Sequence, residues 1–156
     1  TGLTEEKFVS EMNKKAAFLG LTNTFFIDPT GLDPENVSTA YDVAMFAAEA
    51  FSQPEIQEAL LLENYTFQTV NTRRKLTVQN TDKLLDSFLS GQENGYEILG
   101  GKTGYLIEAG HCLATEVSNY GNSIIAVILG SETSDDRFQE MKGLVVWVFE
   151  NYLWAT

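Results

Sequence analysis

Apolar residues recur every three to four positions near the start of the chain. Phe8, Met12, Ala16 and Leu19 fall on one face of a helix. Thr4 stands where an N-cap is needed, and Glu5 and Glu6 fill the first turn, where the helix dipole favours acids. Gly20 supplies a stop. A second stripe, Val43, Phe46, Ala47, Ala50 and Phe51, predicts a helix starting at Thr39, with Asp42 three residues on as a capping box. Pro54 suits the first turn of a short third helix that ends near Leu62. Between the first two helices, Phe25-Phe26-Ile27-Asp28-Pro29-Thr30-Gly31-Leu32-Asp33-Pro34 reads as a tightly turned loop, its aromatic start pinned to the core.

From residue 65 the period changes. Residues 65–70 alternate with β-favouring types, and residues 75–78 suit the other half of a hairpin. Residues 80–89 read as a loop with a short helix, and 97–105 and 112–117 as two more strands. Tyr120-Gly121-Asn122 signals a turn. The continuous apolar run at 124–129 predicts a strand buried on both faces. A last helix follows, with Ser134 as cap, Asp135 and Asp136 in its first turn, and a stripe of Phe138, Met141, Leu144, Val145, Val148 and Tyr152. Helices, then antiparallel strands, then a long closing helix make an α+β pattern, without internal repeats or low-complexity tracts.

Composition narrows the classes of function. The 44% hydrophobic content excludes intrinsic disorder. A net charge of −12 repels phosphate backbones and anionic membrane surfaces, so no nucleic-acid partner is expected. One cysteine excludes an internal disulfide, and one histidine beside it excludes a zinc-finger cluster. No apolar run is long enough to span a bilayer. The 156 residues suffice for one domain, 1–156, though the chain opens at Thr1 rather than at Met and shows no signal peptide.

The segment richest in chemistry is Gly100-Gly101-Lys102-Thr103-Gly104-Tyr105, followed by Ala109-Gly110. On a strand edge, the Lys102 ammonium supplies positive potential and the Thr103 hydroxyl can bond a carboxylate. Gly104 lets a ligand backbone come close. Three residues alone also fit a Gly-rich strand with a surface lysine. His111 is the only histidine, and beside Cys112 it reads as an ordinary sheet residue rather than a general base. Cys112 reads as a small buried hydrophobe. Asp28, Asp33 and Glu35 lack the spacing of a calcium loop and contain two prolines among them, so they read as loop scaffolding. Arg73-Arg74-Lys75 reads as a hairpin turn with solvated charges, the other reading being that it faces the same cleft as Lys102.

More of the chain then falls into register. Residues 8–16, Leu19-Gly20-Leu21, residues 24–32, Ser38-Thr39-Ala40-Tyr41-Asp42-Val43-Ala44, Asn80-Thr81-Asp82-Lys83-Leu84-Leu85, and Gly101-Lys102-Thr103-Gly104-Tyr105 with Ala109-Gly110-His111-Cys112-Leu113 follow one another in an order that resembles the D-alanyl-D-alanine carboxypeptidases. These are low-molecular-weight penicillin-binding proteins related to the serine β-lactamases. The resemblance runs from about Phe8 to Tyr152. It implies a partial transpeptidase-like fold and a serine-type D-Ala-D-Ala carboxypeptidase of peptidoglycan maturation, extracytoplasmic and open to β-lactams, with no cofactor and no metal. Such enzymes use Ser-x-x-Lys, Ser-x-Asn and Lys-Thr-Gly. Only the third occurs here; Ser87-Phe88-Leu89-Ser90, Ser118-Asn119 and Ser134-Asp135-Asp136 do not fit the other two.

By this resemblance Lys102 would serve proton traffic at the second motif, as the one catalytic residue in the chain. Thr103 would bond the terminal carboxylate of a stem peptide ending in D-Ala-D-Ala, and Gly104 would let the peptide add as a strand. The Tyr105 N–H would be one oxyanion donor. Relatives often have Thr or Ser after the position of Tyr105; here Leu106 stands there. Arg137 lies near where relatives place a carboxylate-attracting base; the other reading pairs it with Asp135, Asp136 or Glu140 at the surface. The chain is expected to be the C-terminal part of such an enzyme, inactive alone. The alternatives are a natural non-catalytic relative, acting as a peptidoglycan-peptide-binding or regulatory module, and one half of a split enzyme. Without the family's first strands, an open sheet edge and an apolar face would invite self-association or pairing with the absent N-terminal part.

Overall fold

The structure is a computed structural model, and it describes residues 2–154. Thr4 caps α1 (Glu5–Phe18), its hydroxyl accepting from the Lys7 N–H, and Gly20 sits just past the end at φ +75°, a conformation that glycine adopts freely. Thr39 caps α2 (Ala40–Phe51) by accepting from the Asp42 N–H at 3.2 Å. The capping box is one-sided, because the buried Asp42 carboxylate turns to the Asn23 N–H and the Thr24 hydroxyl instead. It thereby ties the loop to α2. Pro54 opens α3 (Pro54–Leu61).

The 25–34 loop is held by polar groups more than by its aromatic start. Phe25 is largely exposed, while Phe26 packs near the Phe46 ring. Asn13 both accepts from the Phe26 N–H and donates to its carbonyl. The Asp28 carboxylate takes donors from Thr30, Gly31, Asp33 and Asn36 of its own loop, with the Thr30 hydroxyl foremost in holding its pKa well below the usual carboxylate range. A carboxylate spent in this way is scaffolding.

β1 (Asn64–Gln68) and β2 (Lys75–Gln79) form an exposed antiparallel hairpin, two residues shorter at its tip than the alternation suggests. Residues 80–95 carry three short 3₁₀ turns in place of one helix. β3 (Tyr96–Leu106), β4 (Gly110–Asn119) and β5 (Asn122–Ser131) make an antiparallel sheet in that order. α4 (Ser134–Asn151) covers one face, and α2 with α3 packs against the other. The α4 side holds the larger core, centred on Leu84, Leu89, Leu113, Val117, Met141 and Val145, all at or below 1% exposure.

Three expectations are corrected here. Residues 124–129 are not buried on both faces: β5 is an edge strand among the described residues, only Ala126 of the run is fully buried, and Leu129 is 43% exposed. The cap of α4 is Thr133, not Ser134; the Thr133 hydroxyl accepts from the Asp136 N–H at 3.1 Å, and Ser134 is the first helical residue. Tyr152 falls just past the helix and leans on Trp147 in the open instead of completing the buried stripe.

Candidate functional site

Lys102, Thr103, Gly104 and Tyr105 lie on β3, which is an edge of the sheet among the described residues. Partners across an antiparallel pair share a face. Lys102 pairs with Ala114 and Gly104 with Cys112, on the side of α2; Thr103 pairs with Leu113, on the side of α4. The Lys102 ammonium is exposed and folds back to donate to the Thr103 carbonyl. The ring of Tyr105 stacks on His111 with centroids 4.2 Å apart, and His111 Nδ1 is buried without a partner. Cys112 Sγ lies near backbone carbonyls of its own turn.

The strand is gripped upstream of the motif. A Cβ on Gly100 would press on the Phe51 ring at 3.1 Å, and one on Gly101 would sit 2.0 Å from Asp82 Oδ2. A Cβ on Gly104 would meet only Cys112 Cβ, at an ordinary 3.7 Å. Asp82 is 4% exposed; its Oδ1 accepts from the Leu84 N–H at 2.9 Å, while Oδ2 has no partner. Burial pushes its pKa up, against the Leu84 bond and the nearby Arg137 charge.

Arg137 does not pair with Asp135, Asp136 or Glu140. It is 6% exposed, and its guanidinium donates to the carbonyls of Gly104 at 3.0 Å and Cys112 at 3.3 Å. It therefore fastens the motif's own backbone to α4 and sets a positive charge behind it. Asp135 pairs instead with Lys83. Arg73 and Arg74 occupy the tip of the β1–β2 hairpin, whereas it is the hairpin's base, at Asn64, Tyr65, Val78 and Gln79, that borders the cleft beside Lys102. That cleft, of about 420 Å³, runs between the end of α3, the segment from Asn80 to Thr81, and β3. On the α2 side, an apolar groove of about 340 Å³ is lined by Val43, Phe46, Phe51, Leu60 and Leu129 and reaches Lys102 and Gly104.

One residue of the site was not singled out for a role by the sequence. Thr81 places its hydroxyl 2.6 Å from that of Thr103. The signal available was its place in the polar run Asn80-Thr81-Asp82 ahead of the apolar pair Leu84-Leu85, which marks an anchored turn but not the strand that it meets.

A family model for D-alanyl-D-alanine carboxypeptidase matches residues 2–133. The chain belongs to the D-alanyl-D-alanine carboxypeptidase family. Within that family it is 36% identical over 151 residues to the D-alanyl-D-alanine carboxypeptidase DacF of Bacillus subtilis, which covers 96% of this chain and 36% of DacF. The crystal structure of the Streptomyces K15 DD-transpeptidase matches with a TM-score of 0.82 at 29% identity, over 93% of this chain and 55% of that one. Penicillin-binding protein D2 of Listeria monocytogenes, in its cefotaxime-bound form, matches with a TM-score of 0.72 at 30% identity, over 91% and 55%. The chain thus spans about a third of the curated relative's length and just over half of these structures.

Proposed function

We propose that this chain carries the substrate strand of a serine-type D-Ala-D-Ala carboxypeptidase of peptidoglycan maturation. The observation that carries this reading is the open edge at Gly104, exposed and demanded by no internal contact, next to a lysine and a threonine hydroxyl. A peptide ending in D-Ala-D-Ala adds along β3 as an extra strand, and Thr103 bonds its terminal carboxylate. Arg137 supports that carboxylate from behind the strand by charge and by fixing the Gly104 carbonyl. The Tyr105 N–H serves as an oxyanion donor, and Lys102 serves proton traffic.

The 156 residues contain neither Ser-x-x-Lys nor Ser-x-Asn, so the nucleophile and its base come from elsewhere in the enzyme. The apolar groove beside Lys102 suits the docking of that part. β-Lactams acylate the complete enzyme and not this chain, and the complete enzyme works outside the cytoplasm on the cell wall.

The test is an NMR titration of this chain with an acetylated Lys-D-Ala-D-Ala peptide. Shifts at Thr103 and Tyr105 that vanish in Thr103→Val support the reading; a spectrum unmoved at millimolar peptide refutes a surviving site. Incubation with fluorescent penicillin and mass spectrometry complete it. A covalent adduct on any serine of this chain would show that the nucleophile is present after all.

A further inference from the structure

The Asn80-Thr81-Asp82 turn is fastened on both sides of Thr81 but not through Thr81. Asn80 Nδ2 donates to the Leu60 carbonyl at 2.8 Å and the Leu62 carbonyl at 3.0 Å, at the end of α3. The Asn80 N–H bonds the Glu63 carbonyl at 2.8 Å, and Asn80 Oδ1 accepts from the Asp82 N–H at 2.9 Å. Asp82 then caps the following 3₁₀ turn and lies against Gly101. Thr81 itself is exposed, and among the described residues its side chain has one hydrogen-bond partner, the Thr103 hydroxyl at 2.6 Å. The turn holds without that hydroxyl, so packing does not explain its aim.

We propose that Thr81 is a positioning residue whose hydroxyl donates to Thr103 Oγ1 and so frees the Thr103 proton for a carboxylate ligand. The inference rests on the reading of Thr103 as the carboxylate contact. A hydroxyl has one proton and two acceptor sites. If Thr103 donated to Thr81, its proton would be spent. With Thr81 as donor, the Thr103 proton is left free for another acceptor, and accepting a bond makes Thr103 a stronger donor in turn. The surrounding charge favours this direction once an anion arrives. Arg137 lies behind the same stretch, bonded to the Gly104 carbonyl, and the Lys102 ammonium sits on the Thr103 carbonyl. Asp82, which also feels the Arg137 charge, is buried beside Gly101, and that burial pushes its pKa up. The ligand class is a carboxylate at the end of an extended peptide, and the selectivity expected of the pair is for the free acid over the amide.

The experiment uses Thr81→Val, which keeps the shape and removes the hydroxyl, and Thr81→Ser, which restores it. Thr81→Ala repeats the deletion without a branched side chain should Val disturb the turn. The first readout needs no ligand: the Thr103 side-chain torsion from three-bond couplings. It is expected to hold one rotamer in the parent chain and in Thr81→Ser, and to average over rotamers in Thr81→Val and Thr81→Ala. An unchanged Thr103 rotamer in both deletions overturns the proposal. The second readout is the affinity for acetyl-Lys-D-Ala-D-Ala and its C-terminal amide. The deletions are expected to weaken the acid about three- to tenfold, the range of one hydrogen bond, and to leave the amide unchanged. Equal affinity for the acid in Thr81→Val and the parent chain overturns the proposal. Failure of the parent chain to bind the peptide, with the rotamer still released by the deletions, sinks the assigned function of the strand and leaves Thr81 as the group that positions Thr103.

Discussion

Adding one methyl group at two glycines three residues apart on β3 is expected to have opposite consequences. An ideal Cβ on Gly101 falls 2.0 Å from Asp82 Oδ2, far inside any real contact. Asp82 cannot simply swing away, because it is 4% exposed and its other oxygen holds the Leu84 N–H. Overpacking of this kind costs about 1–3 kcal/mol. Losing the Leu84 bond if the carboxylate shifts adds about 1 kcal/mol. Replacing glycine by alanine within a strand returns about 0.5–1 kcal/mol. The balance for Gly101→Ala is a loss of about 1–3 kcal/mol, which for a chain of this size lowers Tm by about 2–12 °C. For Gly104→Ala the same gain applies without the clash, since the nearest atom is Cys112 Cβ at 3.7 Å, so Tm holds or rises slightly.

Thermal melts followed by circular dichroism, with urea midpoints as a second measure, decide the matter. A double variant isolates the contact: Gly101→Ala combined with Asp82→Ala is expected to cost less than the sum of the two single changes, because the colliding oxygen has gone. Equal losses of Tm in Gly101→Ala and Gly104→Ala, or strict additivity in the double variant, would refute the account of how β3 is gripped. The peptide titration adds the functional half, in which Gly104→Ala weakens binding while the fold is untouched.

Three further outcomes are expected. Asp82→Asn keeps an oxygen for the Leu84 N–H and removes the charge; because burial raises the Asp82 pKa, its contribution is fully present below the ordinary aspartate range and is lost as pH rises through the elevated value, so the variant should melt higher than the parent at neutral pH, with a gap that closes toward pH 3. A gap independent of pH would refute this. Asp28 works the other way: its pKa is lowered, chiefly by the Thr30 hydroxyl, so its contribution is present above the usual aspartate pKa and lost on acidification below it. Asp28→Ala should therefore expose the 25–37 loop to limited proteolysis at neutral pH, and unchanged cleavage would count against the scaffold. Met141→Ala, at a side chain with 0% exposure, should cost about 2–5 kcal/mol in urea unfolding, and a loss below 1 kcal/mol would place the core elsewhere.

Much of this fold is legible locally. Thr4 and Thr39 mark helix starts because a capping hydroxyl needs only the next three residues, and Gly20 and Pro54 act within a single turn. The Lys-Thr-Gly strand is legible by type. The contacts that make it a site are not, because they join distant residues. Thr81 meets Thr103 across 22 positions, and Arg137 meets the Gly104 carbonyl across 33. Arg137 reads as either a carboxylate-attracting base or a surface partner of Asp135, Asp136 or Glu140 at the opening of the last helix, and only the docking of α4 on the sheet buries it and directs it at strand carbonyls. The run at 124–129 misleads for a related reason. Its side chains are apolar enough for a central strand, but centrality is a property of the neighbouring strands, and β5 has one neighbour among the described residues.

The three glycines of β3 separate packing from function. None of them has a positive φ, so backbone conformation demands glycine at none. Gly100 lies tight against the Phe51 ring on the α2 side, and Gly101 is required by Asp82 on the α4 side, so the strand is held from both faces at that point. Gly104 is required by neither face. A strand that served packing alone would gain from a side chain there, since alanine meets only ordinary contact and is better tolerated in a strand interior. A position that forgoes local stability without an internal reason points to something outside the chain. Its carbonyl is meanwhile held at 3.0 Å by a buried arginine, so the backbone stays fixed while its edge stays open. Rigid support behind an open edge is what an added peptide strand requires, and it favours the proposed peptide contact at Thr103 and Gly104 over one at His111 or Cys112.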